Sequence, residues 1–155
     1  MKKILSVLLI TVMCIGLVAC GSDSDKEAKD IDVDDFASYV MDNYKFEDQL
    51  TKLDSAMIGN IYQVEEGVEA TLYIGSGATA EEIAIFKTTD KSKLSKMKEN
   101  IDAHIEKQKT DFASYMPKET KKLDNAVVEE YSSYIAVVVC NEVVSGSIFE
   151  KYCEE

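Results

Sequence analysis

A chain of 155 residues, 46% apolar and with a single proline, suits one domain with a modest core. Its net charge is −12 and it has neither tryptophan nor arginine. An acidic surface without arginine's planar fork excludes nucleic acid as a partner, and with it broad adhesion to anionic lipid.

Met1-Lys2-Lys3 is a short cationic start, and an apolar run follows from Ile4 to Val18. This run is shorter than the roughly 20 residues a spanning helix needs. Its flank, Gly21-Ser22-Asp23-Ser24-Asp25, is small and polar rather than a cluster of lysines. A charged n-region, an apolar h-region and a small residue before a cut describe a secretory leader over residues 1–19. Leu17-Val18-Ala19-Cys20 then resembles the bacterial lipoprotein box, whose cysteine becomes lipid-modified, by palmitate or a related acyl chain, and starts the mature protein. Residues 20–30 form a lipidated cysteine and a flexible acidic tether, too polar to bury anything. The folded domain is expected over 31–155.

The first helix is predicted from about Asp34 to Leu53, capped by Asp34 or Asp35, with Phe36, Val40, Tyr44, Leu50 and Leu53 at helical spacing. The stretch 57–64 is less regular. Val68, Ala70, Leu72 and Ile74 alternate with Glu69, Thr71 and Tyr73, the period of a half-buried strand. Gly75-Ser76-Gly77 breaks it, and Ile83 to Phe86 reads as an antiparallel partner. The strongest helix runs from about Lys91 to Tyr115. Its stripe of Leu94, Met97, Ile101, Ile105, Phe112 and Tyr115 is interrupted at Gln108, and Met116-Pro117 ends it. Val127-Val128 and Ile135 to Cys140 read as two further strands, turning at 131–134. The second of these is wholly apolar and therefore central. A closing helix is expected within 143–153. The order is α-β-β-α-β-β-α: an α+β domain with an antiparallel sheet of about four strands from two hairpins, and helices on one face. Asp35-Phe36-Ala37-Ser38-Tyr39 recurs as Asp111-Phe112-Ala113-Ser114-Tyr115, a hint that the two halves are duplicates.

Few motifs carry chemistry. Gly75 to Ala80 fits a loose dinucleotide fingerprint but lacks the following long helix, so it reads as a hairpin loop. Asp30-Ile31-Asp32-Val33-Asp34 begins like a calcium loop, but Asp35 and Met41 stand where Gly and Glu are required. The only histidine, His104, builds no metal site by itself and reads as a helix-surface or boundary residue. Cys140 and Cys153 remain in a disulfide-permissive compartment and can either bridge or stay as thiols. Between Lys87 and Lys122 ten lysines face six acids, a locally basic stretch that reads as a solvated face or a patch for an anionic wall polymer.

Gly77 to Lys87 (Gly-Ala-Thr-Ala-Glu-Glu-Ile-Ala-Ile-Phe-Lys), Gln108 to Tyr115 with Pro117-Lys118-Glu119, and Leu123 to Val128 together resemble a family of small Gram-positive lipoproteins classed as a domain of unknown function. Tyr62 fits the pattern as well. The resemblance spans about Phe46 to Phe149. It implies a membrane-tethered α+β domain and no particular reaction.

The expectation is a non-enzymatic binding or interaction module, held on the outer face of the membrane by lipid on Cys20, without cofactor or metal. Its partner would be an envelope protein, a wall polymer or a small solute. The alternatives are an envelope enzyme or redox protein using Cys140 and Cys153 or His104, and an auxiliary subunit of a transporter.

Overall fold

The computed structural model describes residues 30–154, so the expected leader, Cys20 and the tether before Asp30 lie outside the described residues. Among the described residues there are five α-helices: α1 (Val33–Asn43), α2 (Ser55–Ile58), α3 (Lys91–Tyr115), α4 (Thr120–Asp124) and α5 (Ile148–Glu154). The strands are β1 (Thr51–Lys52), β2 (Glu69–Ile74), β3 (Glu82–Lys87), β4 (Val127–Tyr131) and β5 (Tyr134–Val139). They form one antiparallel sheet in the order β1-β2-β3-β5-β4. The α+β class and the two hairpins are as the sequence predicts. The apolar strand β5 lies inside the sheet between β3 and β4.

Two features differ from expectation. The sheet has a fifth, edge strand, because the first helix stops at Asn43 rather than continuing to Leu53. Tyr44 is extended, and the next stretch is drawn off by carboxylates elsewhere in the chain. The N–H of Lys45 donates to Glu142, and those of Glu47 and Asp48 donate to Glu81. The helices also cover both faces rather than one. β5 is buried from end to end and β3 from Glu82 to Phe86, and a strand buried on both sides needs cover on both. Alternate side chains divide accordingly. Leu72, Ala84, Phe86, Ile135, Val137 and Val139 pack under α3 with Ile58 and Leu123. Tyr73, Ile83, Ile85, Tyr134, Ala136 and Val138 pack under Phe36 and Val40 of α1 and Ile148 and Phe149 of α5.

Helix α3 has the predicted bounds, and Leu94, Met97, Ile101, Ile105 and Phe112 of its stripe are buried while Tyr115 at its end is exposed. Asp90 caps it by accepting from the N–H groups of Ser92 and Lys93, and Met116 and a short 3-10 turn at Pro117–Glu119 close it. Asp32, not Asp34 or Asp35, caps α1. Helix α5 begins at Ile148, where Glu129 of β4 accepts from the Ser147 hydroxyl and the Ile148 N–H. The duplication does not extend to three dimensions. With β3 antiparallel to β5, a repeated helix–hairpin unit would place both helices on one face, whereas α1 and α3 lie on opposite faces.

Candidate functional site

The start of β3 carries two adjacent buried carboxylates, Glu81 and Glu82, each 2% exposed. Successive residues of an extended chain point to opposite sides, so the pair serves two different polar clusters. Glu82 shares the side of Ala84 and Phe86 and faces α3. Glu81 turns toward α4 and the segment before β1.

The Glu82 cluster is assembled from three distant parts of the chain. Tyr62, after α2, is fully buried and donates its phenolic hydrogen to Oε1 of Glu82. His104 of α3 places Nε2 3.2 Å from the same oxygen, with its side chain only 8% exposed. Gln108, one helical turn on, brings its amide to 3.4 Å from the imidazole. The Tyr62 and His104 rings are 3.9 Å apart at their centroids, and Phe86 closes on Tyr62 edge-on. Burial, and then the charge of Glu82, push the Tyr62 phenol well above its ordinary range, so it acts as a hydrogen-bond donor.

This cluster forms part of the wall of a half-open cleft of about 320 Å³ between α3 and the β2–β3 loop. Glu81, Glu82, His104, Lys107, Gln108, Asn60 and Thr79 supply its polar groups, and Ile61, Ile74, Phe112 and Tyr115 its apolar surface. Such a mixture, in a concavity of this size, characterises small-molecule sites. The loop is shaped to approach closely. A side chain at Gly75 would run into the Asp48 carboxyl, and Gly77 has φ +84°, where glycine is favoured. Asp48 accepts from both the hydroxyl and the N–H of Ser76, and these bonds, the hydroxyl first, hold its carboxyl below the usual range.

The Glu81 cluster is an ion network. Lys122 Nζ lies 2.9 Å from Glu81, 3.2 Å from Glu119 and 3.3 Å from Glu47. Glu81 and Glu119 side chains have no exposed surface. Glu81 also accepts the N–H groups of Glu47 and Asp48, and Glu119 accepts that of Ala80. The network ties the start of β3, α4 and the segment before β1 into one rigid corner beneath the cleft.

The residues singled out by sequence fall as follows. His104 takes the boundary position of the two expected: it lines the cleft, with most of its side chain covered by Glu82 and Tyr62. Cys140 is buried, with its thiol 3.5 Å from the Glu142 carbonyl, and Cys153 is partly buried beside the Tyr131 hydroxyl; both are free thiols. Burial pushes the Cys140 thiol up, away from the thiolate that redox chemistry uses. The Asp30–Asp34 run is used structurally: Asp30 pairs with Lys87 and Tyr134, Asp32 caps α1, and Asp34 pairs with Lys52. Among the described residues no cluster of His, Cys, Asp and Glu could hold a metal ion. The basic stretch is largely paired, Lys96 with Glu99, Lys98 with Glu130, Lys107 with Asp111, and Lys109 with Glu106 and Asp124. Gly75 to Ala80 is the β2–β3 hairpin loop.

Sequence reasoning did not reach Glu82, Tyr62 and Gln108 as a group. Two signals pointed that way. Period-two alternation from Ala84 and Phe86 puts Glu82 on a buried face, and Gln108 breaks an otherwise apolar stripe four residues after the only histidine.

No curated protein and no solved structure matches the chain. A family model described as a domain of unknown function (DUF4358) matches residues 42–140, a span that holds every residue of the cleft but leaves out nearly all of α1 and the whole of α5. The match covers well over half of the chain, and the protein belongs to this family.

Proposed function

We propose that the protein is a lipid-anchored, non-enzymatic binding module of the cell envelope, facing outside the cytoplasm, and that the cleft beside Glu82 is its ligand site. The observation that carries the binding part is the cleft: a small, half-apolar concavity with convergent polar groups held by a buried hydrogen-bond cluster. The anchor rests on the leader and the Leu-x-Ala-Cys box ending at Cys20. Among the described residues no helix is long and apolar enough to cross a membrane.

The two ends of β3 fit this division of labour. Asp30, where the tether joins the domain, is bonded to Tyr134 and Lys87 at one end of the sheet. Glu82 lies at the other end of the same strand, about 17 Å away at the rise of an extended chain. A tether of ten residues adds a reach of up to about 35 Å. The cleft residue Glu82 and the start of the domain at Asp30 therefore lie at opposite ends of β3.

The Cys20→Ala variant tests the anchor: it is expected in the soluble fraction with an unchanged circular-dichroism spectrum, and retention on the membrane would refute it. A charge-diverse set of small solutes tests the binding site, with saturable shifts at Gln108 and Tyr115 expected. One observation favours a second reading, an envelope hydrolase: Glu82 orients His104 as an acceptor would orient a general base. Turnover of a chromogenic ester that His104→Ala abolishes would replace the binding reading with that one.

A further inference from the structure

We infer that the cleft takes a small organic ammonium ion carrying an apolar or aromatic body. This rests on the cleft being the binding site and adds the chemical class of its ligand. The Glu82 side chain is only 3% exposed, yet it lines the cleft. Tyr62 and His104 both bond to its Oε1, and among the described residues no hydrogen bond falls on Oε2. No lysine pairs with it among those residues either. Neighbouring charges are already matched. Lys122 and two backbone N–H groups compensate Glu81, and Asp111, 2.6 Å away, compensates Lys107 at the cleft wall. Glu82 is thus the one carboxylate in the cleft wall without a fixed lysine partner, and a buried carboxylate gains most from a cation.

The rest of the lining fits the same ligand. An ammonium group offers three donors and no acceptor, and Oε2 of Glu82 with the amide oxygens of Gln108 and Asn60 offers acceptors. Phe112 and Tyr115 form a ring pair at the cleft, 5.1 Å between centroids, and Tyr115 is 59% exposed. Aromatic faces attract cations and pack against apolar bodies. The net charge of −12 concentrates cations near the surface. An anion would meet a carboxylate wall in a chain without arginine. A volume of about 320 Å³ lies at the lower end of the roughly 300–1,000 Å³ of small-molecule sites, enough for an arylalkylamine or an amino-acid-sized amine.

The test uses the full chain in detergent, titrated with tyramine, with its neutral analogue N-acetyltyramine, and with its anionic analogue 3-(4-hydroxyphenyl)propionate, read by amide chemical shifts and calorimetry. Tyramine is expected to saturate a site that shifts Gln108 and Tyr115, with the neutral and anionic analogues at least about tenfold weaker. Glu82→Gln keeps the shape and an acceptor for Tyr62 but removes the charge, and is expected to weaken tyramine about tenfold or more. Tyr115→Ala, at an exposed position, is expected to weaken it about twofold to fivefold. If an analogue binds as tightly as tyramine, or if both variants bind tyramine like the native protein, the ammonium assignment fails and the cleft stands as a binding site. If tyramine binds but shifts residues elsewhere, the assignment also fails. If none of the three probes binds, both the assignment and the binding reading fail.

Discussion

Replacing Lys122 with methionine isolates what the buried ion network does. The two side chains are similar in length, so the substitution removes a charge and little volume. It strands Glu81 and Glu119, whose side chains have no exposed surface, with Glu47 beside them. In the native protein burial alone would lower the Lys122 ammonium, but hydrogen bonds to Glu81 and then Glu119 more than offset this and hold its pKa above the ordinary value. Removing one partner of a buried pair costs about 3–5 kcal/mol. For a domain of this size each kcal/mol moves the melting temperature by about 3–6 °C, so Lys122→Met is expected to melt about 10–25 °C lower. Thermal and urea unfolding followed by circular dichroism measure it. The triple variant Glu81→Gln, Glu119→Gln, Lys122→Met keeps carbonyl acceptors for the N–H groups of Glu47, Asp48 and Ala80 while removing all three charges, and is expected to regain most of the loss. A cost below about 1 kcal/mol for the single variant, or a triple variant no more stable than the single, would refute the reasoning.

Tyr62→Phe removes the hydroxyl that donates to buried Glu82 and is expected to cost about 1–3 kcal/mol in urea unfolding, with no loss if that bond contributes nothing. Tyr134→Phe leaves the Ile31 N–H without its acceptor and leaves Asp30 only its ion pair with Lys87; a loss of about 1–2 kcal/mol and faster proteolysis at the start of the domain are expected, and unchanged proteolysis would contradict the account of how the start of the domain is held. Acid weakens the fold. Hydrogen bonds from Tyr134 to Asp30, Lys52 to Asp34, Lys122 to Glu47, Ser76 to Asp48 and Ser92 to Asp90 hold these carboxyls below the usual range. A depressed folded-state pKa gives stability that is complete above the unfolded value, about 4, and is lost as pH falls through the folded value. Melting temperature is therefore expected to be flat above about pH 5 and to fall below about pH 4; a rise in acid would reverse the sign.

Long, locally determined elements were legible in the sequence. The stripe on α3 and the alternation in β2 specify each element from its own residues, and the apolar run in β5 places that strand inside the sheet. The end of α1 was not legible, because carboxylates 33 or more residues away, on Glu81 and Glu142, take the N–H groups of Lys45, Glu47 and Asp48. Strand β1 has two residues, too few to show any period. The coverage of both faces was implicit in the unbroken apolar run of β5, which leaves both sides of the strand to be covered, but no local pattern states which helices cover which side. The cleft was legible only in fragments. Tyr62, Glu82 and His104 stand about 20 residues apart in sequence, and each has an ordinary local role until the sheet and α3 bring them together. Glu81 and Glu82, which head the two polar clusters, lie within Gly77 to Lys87, one of the stretches that carry the family resemblance.

The most direct test of the central claim maps where small solutes bind. Amide shifts of the full chain are recorded while ammonium, neutral and anionic aromatic probes are titrated, in the native protein and in Glu82→Gln. The account predicts one saturable site whose shifts centre on Asn60, Glu82, His104, Gln108 and Tyr115, and which weakens in the variant. A map with no saturable site among those residues would contradict it.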